Sequence, residues 1–399
     1  LSITLTDEVY VADYINVPDE YSTIQAAFDA STDGDTILVQ PGTYYENLYL
    51  MDKSVVLGSL FITTGDTNYI SSTIIDGSNQ ERTVQIGGSE VDTSFVLAGF
   101  TIQNGNSNEY GGGIYVRNQS SPTLRNLKVI NNTAYNGGGG IMVNESSSAR
   151  LIDILVSGNT VTGDDYFCLG GGVYFRYTYH YSVRPLLKNV TISNNSTVGK
   201  GGGFGSIAAH VDMIDCVIKN NTASEKGGGM AVGGDYQGSG DRNLYKNVLI
   251  TGNTAAQGGG YSTISHNGGG LALFENVTIT NNTATSSGEG YSGGGVYIEN
   301  TSELEFLNSI IWGNSPNQLD YIGYHDVIID IDYCTIEDGL SDFGNNDDDD
   351  LTLTWGDNIL VSNPLFQDAS SGDYSLSSGS PAADAGHPAA IYVDEVDGT

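Results

Sequence analysis

Thr101-Ile102-Gln103-Asn104-Gly105, followed by Gly111-Gly112-Gly113-Ile114-Tyr115, is the phrase that decides the fold, because the chain repeats it. It returns as Val129-Ile130-Asn131-Asn132-Thr133 with Gly138-Gly139-Gly140-Ile141, and as Val156-Ser157-Gly158-Asn159-Thr160 with Gly170-Gly171-Gly172-Val173-Tyr174. Further copies carry Asn194-Asn195, Asn220-Asn221, Gly252-Asn253, Asn281-Asn282 and Gly313-Asn314. From the first position of one pair to the next, the steps are 27, 27, 36, 26, 32, 29 and 32 residues. A recurring period of this size marks a solenoid, whose units bury an apolar face only by stacking on a neighbour.

The runs around the pairs alternate at period two and are rich in Val, Ile and Thr, as in Asn189-Val190-Thr191-Ile192-Ser193, so they are strands. A hairpin meander needs a two-residue turn signal at each strand end, and the copies lack it. Each copy instead fits one coil of a parallel β-helix. An Asn at the corner suits left-handed backbone, and its amide is placed to bond the Asn one coil away. Triplets such as Gly201-Gly202-Gly203 let the backbone pass where a Cβ would strike the next coil. They are not phosphate cradles, since a strand and not a helix follows each one.

The chain has 399 residues with 14 Lys and Arg against 48 Asp and Glu, a net charge of −34. Nucleic acid and anionic membrane are repelled by such a surface. Every basic residue lies at or before Lys246. No apolar run approaches the ~20 residues of a membrane helix, and Leu1-Ser2-Ile3-Thr4-Leu5 carries no basic stretch, so any signal peptide is expected to lie outside this numbering. Cys168, Cys216 and Cys334 have no metal-like spacing and read as isolated buried thiols.

Before the repeats, Ser22 with Gln25 reads as a capping box opening a helix with Ile24, Ala27 and Phe28 on one face. Asp33-Gly34-Asp35 then turns the chain into the strand Thr36-Ile37-Leu38-Val39. Residues 59–97 read as two less regular coils with strands near Thr73 to Ile75 and Val84 to Ile86, and insertions fall at Asp164 to Phe167 and Gly233 to Asp241. The run from Ile15 to Gly58, with Asp33-Gly34-Asp35-Thr36, Pro41-Gly42-Thr43-Tyr44 and Glu46-Asn47, resembles the opening of right-handed β-helix proteins of the pectin-lyase-like superfamily. The resemblance implies that the helix covers the N-terminal end of the core, where a bare strand edge would otherwise invite pairing.

Beyond Asn300, the phrases Asn308-Ser309-Ile310-Ile311-Trp312-Gly313-Asn314, Asn363-Pro364-Leu365-Phe366, Gly372-Asp373-Tyr374-Ser375-Leu376 and Gly379-Ser380-Pro381-Ala382-Ala383-Asp384-Ala385-Gly386 resemble the choice-of-anchor Q module of secreted bacterial β-helix proteins. That resemblance implies export, a place at the cell surface, and a sorting tail beyond Asp397-Gly398-Thr399.

Three stretches are candidate sites. Val173 to Arg184 concentrates aromatics and arginine, and strand alternation would place Tyr177, Tyr179 and Tyr181 on one face, beside His180, with Arg176 or Arg184 available to a uronate or sulfate. Asp347, Asp348, Asp349 and Asp350 form a charge run that calcium would order. A lyase of this fold needs a basic residue to take a proton beside a uronate carboxylate. The available ones are Arg150, Arg176, Arg184, Lys188, Lys200 and Lys219, with Asp153, Asp212 and Asp215 nearest in register. The acidic pair in Gly163-Asp164-Asp165 lacks the companion motifs of the polygalacturonate hydrolases.

The sequence thus predicts an all-β, right-handed parallel β-helix. An N-terminal cap and first coil occupy 1–58, regular coils 59–316, and C-terminal coils with the anchor-type module 317–399, in one continuous domain. Its expected role is that of an extracellular or cell-surface rod, structural or adhesive, with a polysaccharide or surface partner. A uronate-cleaving lyase and a self-assembling sheath subunit are the other two readings.

Overall fold

A computed structural model of the chain describes residues 14–164, 168–178, 183–234, 242–264, 270–286, 293–299, 302–322, 327–339, 351–356 and 358–388. Each regular coil has three sides. Thr123–Ile130 runs along a long first wall, the chain turns at Asn131-Asn132 into the two-residue strand Thr133–Ala134, and Ile141–Val143 forms a third wall before the next coil begins at Arg150. Among the described residues the first wall gathers 21 strands, the second seven and the third ten. Pairing within the walls is parallel and keeps register: Leu124 lies against Leu151, Leu151 against Leu187, and Leu187 against Met213.

Alternation along the strands fills the interior. Ile114 and Val116 point inward and are fully buried, as are Val173 and Phe175 two coils further on. One core cluster runs from Val17 to Ile336 without a break. Toward its C-terminal end the aliphatic column becomes aromatic, with the Phe274 and Phe306 rings stacked at 4.5 Å and 16°.

The corner after the first wall assigns separate tasks to the two members of each Asn pair. The first member takes left-handed backbone: Asn131, Asn194, Asn220 and Asn281 have φ between 54° and 56°, and glycine replaces it at Gly158, Gly252 and Gly313. The second member is buried and forms the amide ladder. The single Asn expected to do both jobs is therefore two residues. The interchange of Asn and Gly at one position and the constancy of Asn at the other follow from that division.

Helix α1, Ile24–Ala30, covers the N-terminal end and buries Ile24, Ala27 and Phe28. Its cap is Thr23 and not Ser22: the Thr23 hydroxyl accepts from the Ala26 N–H at 3.1 Å. The Glu46 carboxylate takes the first free donors, Ile24 N–H and Gln25 N–H, both at 2.9 Å. Gln25 is thereby released to bond the Tyr49 backbone. Two short helices, Phe61–Thr64 and Asn68–Ser72, break the irregular coils at 59–97 and lie against the first wall, where the Thr101 hydroxyl donates to Ile70 O at 2.7 Å. They are too short to show a period in the sequence.

At the other end, Leu351–Trp355 is the last strand of the first wall, and Leu360 pairs with Thr335. The chain then reverses. An antiparallel hairpin, Phe366–Asp368 with Asp373–Leu376, returns along the outside of earlier coils, where the Tyr374 hydroxyl accepts from Thr251 Oγ1 at 2.9 Å and Asn281 Nδ2 at 3.0 Å.

Candidate functional site

The outward positions of the third wall carry a pattern that its inward positions hide. Tyr49, Gln85, Tyr115, Met142 and Tyr174 follow one another in register up the wall, and Arg117 and Arg176 stand two residues on from Tyr115 and Tyr174. Loops entering the glycine triplets fold back over this face and bury part of it, forming a second small cluster around Tyr115, Met142, Leu169 and Tyr174.

Cations sit among the rings. The Arg82 and Arg117 guanidinium groups lie 4.9 Å and 5.4 Å from the Tyr115 ring centre, and Arg176 lies 5.6 Å from Tyr110 and 4.7 Å from Tyr177. Higher up, Lys226 lies 5.8 Å from the Tyr297 ring. Carboxylates answer them: Arg82 pairs with Glu109 at 3.5 Å, Arg117 with Glu145 at 3.2 Å, Lys200 with Glu225 at 2.9 Å, and Lys226 with Glu299. Burial, helped by Glu145, pushes the Tyr115 hydroxyl up to about 12, so it stays a neutral donor to Glu145 Oε1 at 3.1 Å. Burial likewise raises Tyr174. Around Arg176 burial opposes the charge, but the oxygens of Tyr174, Tyr110 and Tyr177 hold the guanidinium above its usual value. A polar notch of about 360 Å³ opens beside Arg82, between Gln80, Asn106 and Glu109. Tyr49 and Tyr135 are exposed, at 58 % and 44 %.

The sequence-predicted residues fare unevenly. Arg176 and Tyr177 meet in this wall, but not as strand neighbours: the strand ends at Arg176, and Tyr177 has φ +51°, so strand alternation stops at Arg176. Arg176 donates to the Tyr110 hydroxyl at 2.8 Å. Arg184 lies two residues before the first-wall strand Leu186–Ser193, paired with Asp212 at 2.8 Å, and is not part of the cluster. Tyr179, His180 and Tyr181 lie outside the described residues, as do Asp165 and Asp347, Asp348, Asp349 and Asp350. Among the described residues no three His, Cys, Asp or Glu side chains gather closely enough to hold a metal ion. No helix there is long and apolar enough to cross a membrane.

Of the residues considered for proton abstraction, Lys200 is buried against Glu225, while Arg150, Lys188 and Lys219 are exposed on the first wall. Asp153 and Asp215 sit at left-handed bends within the first wall, with φ of 56° and 57°, accepting from Asn189 Nδ2 at 2.6 Å and Asn247 Nδ2 at 2.9 Å. Sequence reasoning missed Arg82, Tyr110, Tyr115, Arg117 and Lys226. A signal was available in the residue two places after each triplet, which is Tyr115, Tyr174 and Tyr297 in three coils.

These walls and corners define a parallel β-helix with one decorated face. Comparison with known proteins agrees: the right handed beta helix region family matches residues 53–330, and the chain belongs to that family. No curated protein matches the chain. Among solved structures, the crystal structure of pectate lyase Pel9A is similar at 13 % identity, covering 90 % of this chain and 84 % of that one, with a TM-score of 0.43.

Proposed function

We propose that this chain is an exported, surface-held β-helix rod that binds an acidic carbohydrate along its third wall. The observation that carries the reading is the set of tyrosine–cation clusters there, built from Arg82, Arg117, Arg176 and Lys226 in a chain whose net charge is −34. The exposed rings Tyr49 and Tyr135 offer faces that stack on sugars, the buried Tyr115 and Tyr297 rings hold the cations in place, and guanidinium groups take carboxylate or sulfate with two hydrogen bonds. The resident partner at the notch is weakly held: Glu109 is 72 % exposed and 3.5 Å from Arg82, a pairing that water screens and a ligand carboxylate can replace. Surface placement rests on the resemblance of the C-terminal phrases to anchor modules, and no cofactor is needed for binding of this kind.

The test is an array of uronate-rich, sulfated and neutral glycans probed with the intact chain. Selective retention on acidic glycans that weakens with added salt is expected, with loss in the Arg82→Gln, Arg117→Gln double variant. Equal retention by that variant overturns the reading. A rise in ultraviolet absorbance on incubation with uronate polymers and calcium would assign an eliminating enzyme instead.

A further inference from the structure

The returning C-terminal segment does not lie flat on the coils. Between it and the first wall is a cleft of about 690 Å³, within the range of about 300–1,000 Å³ common for small-molecule sites. The coils supply a floor of Thr278, Ile310 and Thr335, and the returning segment supplies a roof from Tyr374 to His387.

Its two ends are aromatic and fixed. At one end, two hydrogen bonds from separate coils hold the Tyr374 hydroxyl, and its ring meets Phe366 at 5.4 Å and 88°. At the other, the Tyr333 and His387 rings meet at 4.7 Å and 65°, and the His387 N–H donates to Asn308 Oδ1 at 2.8 Å. Tyr333 stands at a corner position that is Asn276 and Asn308 in the two preceding coils, and it has φ +52°. Left-handed backbone is cheap for Asn and costly for a bulky ring, so the Tyr is held there against its backbone preference, with its ring against His387 at one end of the cleft.

The lining is also electrically quiet. Asp384 is its single carboxylate and His387 its single imidazole, it holds no Lys or Arg, and the chain has neither beyond Lys246. An anion finds no Lys or Arg there, whereas amides, hydroxyls and two ring faces suit a neutral polyol.

We infer that this cleft is a binding site for a neutral sugar of one or two rings, separate from the third wall in place and in ligand charge. Tyr333 supplies the stacking face, and Asn276, Asn358 and Thr335 supply hydroxyl-reading groups. The inference stands whether or not the third wall binds acidic glycans.

Saturation-transfer NMR on the intact chain tests it, with galactose, glucose, N-acetylglucosamine and their β-linked disaccharides as probes and galacturonate and glucosamine as charged controls. At least one neutral probe should bind, more strongly than either charged control. Tyr333→Asn, which restores the corner residue of the preceding coils, should weaken binding by about tenfold without lowering the thermal midpoint. Arg82→Gln with Arg117→Gln should leave it unchanged. Ala383→Trp, which fills the cleft from the roof, should abolish binding if Tyr333→Asn proves unstable. Absence of neutral binding, preference for a charged control, or full binding by both cleft variants overturns the inference.

Discussion

The Asn195 side-chain amide donates to Asn221 Oδ1 at 3.0 Å, and the Asn195 backbone N–H donates to the same oxygen at 2.9 Å. The second amide hydrogen of Asn195 goes to Val156 O at 3.0 Å, so no hydrogen-bonding group at this buried corner is left without a partner in its rung. The rung repeats from Asn132 through Asn159, Asn195, Asn221, Asn253 and Asn282 to Asn314, where Gln318 ends it at 2.8 Å.

Asn221→Ala should therefore be among the most damaging single changes. It strands both Asn195 donors and Ile192 O, at roughly 1–3 kcal/mol for each buried unsatisfied group, while Asn253 Oδ1 keeps the backbone N–H of position 221 at 2.9 Å. Its neighbour Asn220, with φ +56°, should accept Gly with a change within about 0.5 kcal/mol, since Gly252 holds the same place one coil on. Urea unfolding midpoints of the two variants distinguish the ladder residue from the corner residue.

Gly202 lies where coils touch backbone to backbone. A Cβ there would fall 2.5 Å from Gly228 O and 2.6 Å from Thr222 O, neither of which can rotate away. Gly202→Ala should cost about 3 kcal/mol or prevent folding, whereas Gly379→Ala, with nothing within 4 Å, should melt with the parent. Thermal unfolding followed by circular dichroism reads the difference.

Cys168, Cys216 and Cys334 are unpaired by disulfide and no more than 1 % exposed. Burial pushes the Cys216 thiol up to about 11 and the Cys334 thiol up to about 12, so neither forms much thiolate near neutrality. A disulfide-exchange reagent at pH 8 should label none of the three in the folded chain and all of them in denaturant. Rapid labelling of any one before unfolding contradicts the buried assignment.

Asp92 gives a pH dependence of defined sign. Its carboxylate is held below the usual value by the Ser94 hydroxyl at 2.6 Å, the Ser94 N–H at 2.8 Å and the Ser54 hydroxyl at 3.3 Å. A depressed folded value favours the native state fully above the unfolded value of about 4, and the advantage disappears as pH falls through the folded value. Asp92→Asn should be less stable than the parent at pH 7, with the gap closing near pH 2. A gap that is constant in chemical denaturation at both pH values contradicts the assignment.

The architecture was legible because it is written at constant chemistry: each coil from Asn132 to Asn314 carries an Asn at the ladder position, as Asn159, Asn253 and Asn314 show even where the preceding residue is Gly. The cap face of Ile24, Ala27 and Phe28 was legible for the same reason, a period visible within seven residues. Its N-cap was misplaced by one residue because Glu46, more than twenty residues away, takes the donors that a local capping box would satisfy. The third-wall clusters were hidden differently. Arg82 reaches Tyr115 and Arg176 reaches Tyr110 only after coils of unequal length are stacked, and Tyr177 leaves its strand through a left-handed residue that alternation does not foresee. The cleft at Tyr333 depends on a reversal that places His387 beside a corner 54 residues earlier, and nothing local to either residue announces it.

Both proposed binding faces require the coils to hold one register from Asn132 to Gln318, and amide hydrogen exchange of the ladder side chains reads that register directly. In the intact chain, the Nδ2 protons of Asn159, Asn195, Asn221, Asn253 and Asn282 should exchange far more slowly than exposed Asn amides and should be released together as denaturant rises. Fast exchange at any of these interior rungs, in otherwise native protein, would contradict the continuous stack.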